Sequence, residues 1–505
     1  MAIALTYSRS QDGMDALAIS VETHLSNGLP SFTIVGLPET AVRESRERVR
    51  CALLNSGFEF PQRRITVNLA PGDIPKEGTR FDLAIAIGIL AASHQVPMTA
   101  LAGAEFIAEL ALDGGLRPVG MALPAALAAR EAGRELILAH TDADDASPIK
   151  GAELRPALDL RTVCDHLAGR IRLLSPAPPA PMGTPRALPD LAEVVGQHRA
   201  RRALEIAAAG GHNLLFIGPP GTGKTMLASR LPGLLPELTE AQALEVAALH
   251  SLAGQAPRQR EGWYVPPFRA PHHSASAVAL CGGGRTPRPG EISLAHHGVL
   301  FLDELPEFER RALEALREPL ESGAITIARA TRALSFHARF LFVAAMNPCP
   351  CGFHGDTRKQ CICTPERIAS YRARISGPLA ERIDLHVDVP RQTEELLRPS
   401  GAGTEYSATV AARVAAARGL QFARQPCLNG ALDGALLAMH AGLVGEASNL
   451  LGHALDRLGL SARGYHKVLR VARTIADLAG QDTIGEPHVA EAISYRVLDR
   501  RVAMR

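Results

Sequence analysis

The sequence has 505 residues, of which 46% are hydrophobic and 21% charged, and its formal net charge is only +2. The length predicts about three domains with ordinary packed cores, and the near-neutral charge excludes a protein that binds polyanions over its whole surface. No apolar run approaches the roughly 20 residues of a membrane-spanning helix, and the N-terminus lacks a signal-peptide pattern. We therefore expect a cytoplasmic protein without a membrane partner.

The first 172 residues mix strand and helix patterns. Period-2 and apolar runs predict strands at 16–23, 32–35 and 63–69. Helical spacing of apolar residues predicts helices at 39–56 and 81–92. This mixture predicts an α/β domain over residues 1–172.

The segment 75–82, Pro-Lys-Glu-Gly-Thr-Arg-Phe-Asp, follows these elements. With the order strand, helix, strand before it, the segment resembles the proteolytic domain of Lon-type proteases, a ribosomal S5 domain 2-like fold. That family carries its nucleophilic serine where Arg80 stands here. A guanidinium cannot act as an acyl-forming nucleophile, so we expect the fold without the protease chemistry. We expect Lys76, Arg80 and Asp82 to make surface or interdomain ion pairs.

A proline-rich segment separates this domain from the next. Residues 175–185 contain five prolines, Pro176, Pro178, Pro179, Pro181 and Pro185. So much proline favours an extended chain and prevents a helix. We predict a linker over residues 173–187.

A glycine-rich stretch marks the second domain, predicted over residues 188–392. It reads Gly218-Pro219-Pro220-Gly221-Thr222-Gly223-Lys224-Thr225, between a strand pattern at 213–217 and a helical pattern at 226–231. This is the order of a phosphate-binding loop, whose backbone N–H groups surround phosphates. We expect Lys224 to contact the β- and γ-phosphates of ATP, and Thr225 to bind Mg²⁺. The alternative, a chance glycine-rich turn, does not explain the agreement of eight positions and both flanks.

Two later apolar strands end in polar residues. Residues 298–302 lead into Asp303 and Glu304, and residues 340–346 lead into Asn347. We expect Asp303 to hold the water shell of Mg²⁺ and Glu304 to orient the attacking water, with Asn347 beside the γ-phosphate. The alternatives are an accidental pair of acids and an asparagine that serves only the turn before a proline.

Other stretches of this domain resemble AAA+ ATPases. Residues 194–197 resemble the turn that touches adenine, and Asn347 stands at the first sensor position. Residues 372–384 resemble the segment whose arginine reaches into the ATP site of the neighbouring subunit. The resemblance implies this role for Arg382, although Glu381 replaces the usual aspartate. An ion pair of Arg382 within its own domain is the alternative.

Two insertions interrupt the core pattern. Residues 268–291 are so rich in glycine and proline that we expect no regular packing. Residues 324–340 alternate on both sides of a short turn and predict a β-hairpin. A hairpin at this place lies in the hexamer pore of helicase-type AAA+ proteins, which implies DNA contacts by Arg329, Arg332 and His337. A solvated hairpin is the alternative, because arginine is common throughout this chain. The histidine pairs at 272–273 and 296–297 lack the neighbours that a metal site needs.

Four of the eight cysteines lie close together in the sequence. Cys349, Cys351, Cys361 and Cys363 form two Cys-x-Cys pairs. Four thiolates suit one tetrahedral structural zinc ion, and a cytosolic location favours metal over disulfides. His354 is a candidate substitute ligand, and buried thiols without metal are the alternative.

The residues from 393 to 505 show helical periodicity throughout. Apolar residues at helical spacing run through 409–417, 445–458, 461–478 and 486–497. This pattern resembles the C-terminal helical lid of AAA+ proteins. The resemblance implies a second sensor arginine, for which we choose Arg463. Arg470 and Arg473 compete with it, and an ordinary surface arginine is the alternative for each.

Taken as a whole, the sequence is identified as a member of the YifB/ComM family of magnesium-chelatase-like AAA+ ATPases. The resemblance rests on the Lon-like domain, the phosphate-binding loop, Asn-Pro-Cys-Pro-Cys-Gly at 347–352, Arg-Ile-Ser-Gly-Pro-Leu at 374–379 and residues 472–478. It implies an α/β multidomain protein with a parallel-sheet AAA+ core and a helical lid. The implied cofactors are ATP and Mg²⁺.

The resemblance also implies a function, namely a hexameric ATP-driven motor on single-stranded and branched DNA. Such a motor promotes branch migration as incoming DNA recombines during natural transformation. A chelatase-type motor that remodels a protein partner is the alternative. The first domain argues against it, because we expect the chelatase motor subunit to lack a Lon-like domain. An ATP-dependent protease is a third hypothesis, which Arg80 opposes.

Overall fold

The computed structural model describes residues 2–12, 14–74, 76–176, 188–255, 262–284, 287–329, 332–392, 405–443 and 445–496. The chain divides into two compact units, Met1–Thr184 with Leu244–Trp263, and Pro185–Ala243 with Tyr264–Arg505. Most of the predicted linker, and residues 393–404 and 497–505 of the predicted lid, lie outside the described residues. The predicted domain boundaries stay predictions.

The first unit contains nine strands and five helices among its described residues up to 176. The strands are β1 (Ala2–Asp12), β2 (Asp15–Ser26), β3 (Ser31–Val35), β4 (Arg64–Ala70), β5 (Ala104–Ile107), β6 (Glu109–Leu110), β7 (Leu116–Arg117), β8 (Glu135–Ala139) and β9 (Leu154–Ala157). The helices are α1 (Thr40–Asn55), α2 (Asp82–Ala92), α3 (Ala122–Glu131), α4 (Ala143–Ala146) and α5 (Leu160–Leu167).

A mixed seven-stranded sheet forms the frame of this unit, in the order β3-β4-β2-β1-β5-β8-β9. The pairs β1–β2 and β2–β4 are antiparallel, and the other four neighbouring pairs are parallel. Helix α2 is apolar on every face, and all of its residues are buried, as expected for a helix inside a core. The unit is therefore α/β, as predicted. The sequence pattern missed β1, whose short apolar start, Ala2 to Leu5, is followed mainly by threonine, serine, arginine and glutamine.

The segment before α2 and the first residue of that helix place three charged side chains inside the first unit. Asp82 forms an ion pair with Arg48 at 2.7 Å, and the aspartate is buried. Burial raises the pKa of Asp82 to about 6, against the lowering effect of Arg48. Lys76 donates to the carbonyl of Pro71, and burial lowers the pKa of Arg80 to about 10. The Asp82 pair thus lies within one unit and is buried, which corrects the expectation of a surface or interdomain pair.

The second unit carries the remaining strands among the described residues. They are β10 (Leu214–Ile217), β11 (Phe268–Arg269), β12 (Gly282–Gly283), β13 (Arg288–Pro289), β14 (Val299–Leu302), β15 (Ala324–Arg329), β16 (Arg332–His337), β17 (Leu341–Met346) and β18 (Leu385–Asp388).

The later helices follow in chain order. They are α6 (His198–Gly210), α7 (Lys224–Ala228), α8 (Glu240–Leu252), α9 (Ala277–Cys281), α10 (Glu291–Leu294), α11 (Arg310–Glu314), α12 (Arg317–Ser322), α13 (Pro365–Arg372), α14 (Gly377–Ala380), α15 (Ser407–Arg424), α16 (Gly434–His440), α17 (Glu446–Leu458), α18 (Ala462–Leu478) and α19 (Glu486–Ser494). The division between the two units falls within α8.

A five-stranded sheet of order β11-β14-β17-β10-β18 lies at the centre of the second unit. All four neighbouring pairs are parallel, and every residue of β10, β14 and β17 is buried. Continuous apolar runs are typical of parallel strands that are covered on both faces. Because the strands are parallel, their carboxyl ends share one edge, where ligands bind in such sheets.

The segment 268–291 is more regular than we expected. It contains β11, α9 and an antiparallel pair formed by β12 and β13. Glycines make this packing close, since a Cβ on Gly282 would lie 2.3 Å from the Arg288 carbonyl oxygen. The expectation of no regular packing was therefore wrong, because here glycine permits backbone contact as well as bending.

The C-terminal region is helical, as predicted, from α15 to α19. Helices α15 and α18 both pack against α6. Their apolar residues join one core with β10, β14 and β17. No helix among the described residues combines the length and the apolarity that crossing a membrane requires.

Candidate functional site

The phosphate-binding loop runs from the end of β10 into α7, as the sequence pattern predicts. Gly223 has a φ of +85°, in the left-handed region that favours glycine. Gly218 lies against β18, and a Cβ there would be 2.2 Å from the Val389 carbonyl oxygen. Both positions therefore need glycine, one for its backbone conformation and the other for space.

Lys224 lies at the centre of this loop. Its ammonium group donates to the carbonyls of Gly218 and Pro219 at 2.8 and 2.9 Å, and to Asn347 Oδ1 at 3.2 Å. Burial lowers the pKa of Lys224, whereas Asp303 raises it. The structure thus brings Lys224 and Asn347 together, although 123 positions separate them in the chain.

The two acids lie at the carboxyl end of β14. Thr225 donates its hydroxyl to Asp303 Oδ2 at 2.5 Å. A hydroxyl and a carboxylate in contact are the oxygen ligands, direct or through water, that Mg²⁺ uses at nucleotide sites. The pair therefore fits a magnesium ion between this loop and β14.

Glu304 follows Asp303 with a φ of +52°, which few residues other than glycine adopt. Its carboxylate pairs with His273 Nδ1 at 3.1 Å, and the Glu304 side chain is half exposed. His273 comes from the segment after β11, which is the neighbour of β14 in the sheet. Sequence reasoning considered this histidine only as a metal ligand and missed its contact with Glu304, the carboxylate predicted to orient the attacking water.

Two cavities adjoin the phosphate-binding loop. The first, of about 430 Å³, is lined by Pro220–Thr225 together with Asp303, Glu304 and Asn347. The second, also about 430 Å³, has Gln197, Pro348 and His354 among its lining residues. We name them the phosphate-side cavity and the base-side cavity.

The last residue of the predicted adenine turn, Gln197, lines the base-side cavity. Gln197 has a φ of +51°, and its side-chain amide donates to the Pro390 carbonyl at 2.8 Å. Gly218 and Pro219 of the phosphate-binding loop line the same cavity. The two cavities therefore share the loop and together suit a molecule with a flat base at one end and phosphates at the other.

Arg382, the predicted arginine finger, pairs with Glu321 of α12. It also donates to the Pro378 carbonyl at 2.6 Å, and its side chain is 11% exposed. In the single chain the residue thus makes the intradomain ion pair that was the alternative. A role in a neighbouring subunit requires this pair to open.

The three candidates for the second sensor lie on α18, where Arg470 is partly buried and the other two differ in their contacts. Arg463 pairs with Glu381 at 3.1 Å, and both side chains are exposed. Arg473 is buried and pairs with Asp477 at 2.9 Å. The lining of the phosphate-side cavity, as far as the chain is described, includes no arginine. The structure therefore places Arg463 at the surface and Arg473 in the helical core.

The predicted hairpin is formed by β15 and β16, with Arg329 opposite Arg332 at the end of the ladder. The side chains of these two arginines lie outside the described residues. His337 is exposed at the other end of β16, and its ring lies 5.5 Å from that of His296. The backbone thus places the two arginines at the tip and His337 at the base.

The four clustered cysteines meet in space. The sulfur of Cys349 lies 3.4 Å from that of Cys351 and 3.6 Å from that of Cys361. The sulfur of Cys363 is the fourth, and all four sulfurs lie within 4.8 Å of one another. Zinc–sulfur bonds of 2.3 Å in a tetrahedron give sulfur separations of about 3.8 Å. The cluster therefore has the composition and the spacing to hold zinc, and His354 is not part of it.

Comparison with known protein families agrees with this architecture. A family model described as magnesium chelatase, subunit ChlI, matches residues 190–397. One described as subunit ChlI of Mg-chelatase matches residues 21–142, and one described as the ChlI C-terminal part matches residues 404–496.

Individual relatives match over the whole length. The chain is 49% identical to competence protein ComM of Haemophilus influenzae, over 99% of this chain and 98% of that protein. It is 49% identical, with the same coverage, to the uncharacterized protein YifB of Escherichia coli. The magnesium-chelatase 38 kDa subunit of Acidiphilium rubrum is 25% identical over 63% of this chain and 91% of that protein. The chain therefore belongs to the YifB/ComM family of magnesium-chelatase-like proteins.

Proposed function

We propose that this protein is an ATP-dependent, hexameric DNA motor that promotes branch migration while incoming DNA recombines during natural transformation. The observation that carries the proposal is one constellation: the phosphate-binding loop, Asp303, Glu304 and Asn347 meet at one edge of a parallel sheet. The name of the Haemophilus influenzae relative, competence protein ComM, supports the process. The proposed location is the cytoplasm, and the proposed partners are single-stranded and branched DNA and further copies of this chain.

ATP would supply the phosphoanhydride bond, with Mg²⁺ at Thr225 and Asp303. Lys224 would hold the phosphates by charge, because its ammonium group already lies within the loop that surrounds them. Asn347 would keep that ammonium group in place through its 3.2 Å contact. Glu304 would act as general base on the attacking water once its carboxylate leaves His273.

The finer architecture belongs to the same proposal. Residues 1–172 would be a Lon-like domain without protease activity, joined by the linker 173–187 to an AAA+ core at 188–392 and a lid at 393–505. Arg382 would complete the ATP site of the next subunit, and Arg463 would act as second sensor. Arg329, Arg332 and His337 would contact DNA phosphates from the hairpin of β15 and β16. We also propose zinc as the ion held by the four clustered cysteines.

The proposal is tested by ATP hydrolysis with no DNA, with single-stranded DNA and with a four-way junction. We expect DNA to raise the rate, and junction movement to require ATP. Lys224→Ala should abolish both, whereas Lys150→Ala, an exposed lysine of the first unit, should abolish neither. Hydrolysis that is indifferent to DNA, from a chain that also leaves junctions intact, would contradict the motor.

A matched pair of variants tests the hairpin. Arg329→Ala with Arg332→Ala should remove most of the DNA stimulation and leave basal hydrolysis in place. Arg43→Ala, an exposed arginine on α1, should retain the stimulation. Equal DNA responses in both variants would show that the hairpin is not the DNA contact.

A chelatase-like motor that remodels a protein partner is the second candidate. The matches to magnesium-chelatase family models and to the Acidiphilium rubrum subunit favour it. That relative's match leaves more than a third of this chain uncovered. Hydrolysis stimulated by a protein partner and unaffected by DNA would favour this candidate over the first.

A further inference from the structure

The segment from Pro348 to Cys363 lies between the first sensor and α13 and contains all four clustered cysteines. Few of its side chains are buried, and those of residues 357–360 are exposed. It therefore lacks the apolar contacts that hold most loops of this length in one conformation. Short segments of this kind commonly depend on a metal ion for their structure.

The cysteines supply the place for such an ion. None of the chain's eight cysteines forms a disulfide, and sulfur separations of 3.4 to 3.6 Å exceed the roughly 2 Å of a disulfide bond. Backbone N–H groups of His354 and Cys363 point at the sulfurs of Cys349 and Cys361, at 3.3 and 3.4 Å. Such outer contacts orient ligands in zinc sites.

The same segment forms one wall of the base-side cavity. Pro348, His354 and Gly355 line it together with Gln197 and Pro390. The backbone N–H of His354 that points at Cys349 belongs to one of these lining residues. Any ion that fixes the cysteines therefore also fixes this wall.

Further contacts join the segment to both sides of the nucleotide site. A Cβ on Gly352 would lie 2.7 Å from Cδ of Pro220 in the phosphate-binding loop. Asp356 accepts from Arg391 at 2.7 Å, and the Asp356 side chain is only 1% exposed. Arg391 is the neighbour in sequence of Pro390, which also lines the cavity.

We infer that zinc bound by Cys349, Cys351, Cys361 and Cys363 sets the affinity of this protein for the base of its nucleotide, by holding the segment 348–363 as a wall of the base-side cavity. This inference rests on the proposed nucleotide site, but it does not require DNA or motor activity. Phosphate binding depends chiefly on Lys224 and on the backbone of the loop, which the segment approaches at Pro220, so loss of zinc should affect it much less than it affects binding of the base.

The experiment compares two probes on the full-length chain, ADP and inorganic pyrophosphate, by calorimetry. The test variant is the double substitution Cys361→Ser and Cys363→Ser, and the matched control is Cys51→Ser, which changes a cysteine of the first unit. Zinc per chain is measured by mass spectrometry after purification and after incubation with zinc. Circular dichroism checks that each variant is folded.

We expect one zinc per wild-type chain and none in the double variant. The dissociation constant of ADP should rise about tenfold in that variant, which is the size of effect expected when a few well-placed contacts are lost. The dissociation constant of pyrophosphate should change less than about twofold. The control should match the wild type for both probes. Removing zinc from the wild type with a chelator should reproduce the loss, and returning zinc should reverse it.

A second variant keeps the inference testable if the double variant does not fold. Asp356→Asn leaves every cysteine in place, so it should retain zinc while it weakens ADP binding through the lost contact with Arg391. A wild-type chain that binds no zinc would overturn the metal site. If the affinity for ADP is unchanged without zinc, or if the affinities for ADP and pyrophosphate fall equally, the segment 348–363 does not act as a zinc-held wall for the base. Failure of DNA to stimulate hydrolysis would instead overturn the motor alone.

Discussion

Glu304 holds its carboxylate in contact with an imidazole while its backbone is in the left-handed region. That conformation costs roughly 1 kcal/mol for a residue with a side chain, and such residues cluster at functional sites. The position of Glu304, next to the Asp303–Thr225 pair that we propose for Mg²⁺, agrees with its proposed role as general base.

The first prediction concerns this carboxylate. Glu304→Gln should lower kcat for ATP hydrolysis by at least about 100-fold, because an amide cannot take a proton from water. ATP binding should persist, since the amide keeps the size of the side chain. Glu307→Gln, which changes an acid that pairs with Arg374 outside the phosphate-side cavity, should hydrolyse ATP at nearly the normal rate. Similar rates in the two variants would contradict the assignment.

The second prediction concerns the histidine partner. The pair restrains Glu304 in the structure, and the free energy of an exposed ion pair is at most about 1 kcal/mol. His273→Ala should therefore raise basal hydrolysis by up to about fivefold with little change in KM. His272→Ala, which removes the neighbouring imidazole ring, is the control. A fall in kcat with His273→Ala would show that the histidine assists catalysis.

At the scale of single residues, the sequence predicted which side chains of the phosphate-binding loop and of the strand ends lie near one another, because their positions follow from local sequence patterns. It could not reach the contact of His273 with Glu304, since 31 positions and an irregular segment separate them. It also left Arg382 with two roles. The structure shows the ion pair with Glu321 in the single chain. The other predicted role, in the ATP site of a neighbouring subunit, can be tested only in the assembled oligomer.

Elements of secondary structure were predicted best where apolar runs were continuous. Strands β10, β14 and β17 are buried on both faces, so their sequences carry an unbroken apolar signal. Strand β1 mixes serine, threonine and arginine with its apolar residues, and it went unrecognised. Several of these polar groups are buried, as Thr6 shows by donating to the Ala84 carbonyl at 3.0 Å.

A buried histidine joins the sheet of the second unit to its helical region. His212, just before β10, contacts the Thr474 hydroxyl of α18 at 2.7 Å. Burial lowers the pKa of His212 to about 4, although Asp384 acts in the opposite direction. The native state therefore binds fewer protons than the unfolded chain between pH 4 and 6.5, and stability falls as the pH falls through that window.

The third prediction follows from this difference. The lowered pKa corresponds to about 3 kcal/mol of unfolding free energy that is lost between pH 6.5 and pH 4. His212→Gln keeps a hydrogen-bonding group but does not titrate, so its denaturation midpoint should depend less on pH across that window. Some dependence should remain, because His386 is also buried with a lowered pKa. His453→Gln, at an exposed position, should keep the full dependence, and an unchanged slope in His212→Gln would contradict the argument.

At the scale of the whole molecule, length and composition predicted about three domains, whose boundaries stay predictions, and the helical C-terminal region followed from periodicity. The placement of Leu244–Trp263 with the first unit did not, because nothing in a local apolar pattern tells which core a helix such as α8 will join. The oligomer is a matter of surfaces that a single chain does not define, so the hexamer remains a proposal.

The fourth prediction tests assembly through shared sites. If Arg382 acts on the neighbouring subunit, Lys224→Ala and Arg382→Ala should each be nearly inactive alone, and an equal mixture should regain hydrolysis. Random assembly into head-to-tail rings restores about one site in four. Recovery of on the order of a quarter of the wild-type rate, measured after mixing unfolded chains and refolding, would support the shared site. A mixture as inactive as its parts would show that Arg382 serves only its own chain.

The strand that leads into the phosphate-binding loop is paired on both sides, with β17 on one and β18 on the other. Amide hydrogens of such a strand exchange with solvent only when the whole unit opens. Residues Leu214–Ile217 should therefore exchange slowly, and nucleotide should slow them further only by the amount that its binding stabilises the whole folded unit. Faster exchange, which reports local movement, should be confined to the surrounding segments, and this would make β10 the fixed reference against which every movement of an ATP cycle can be measured.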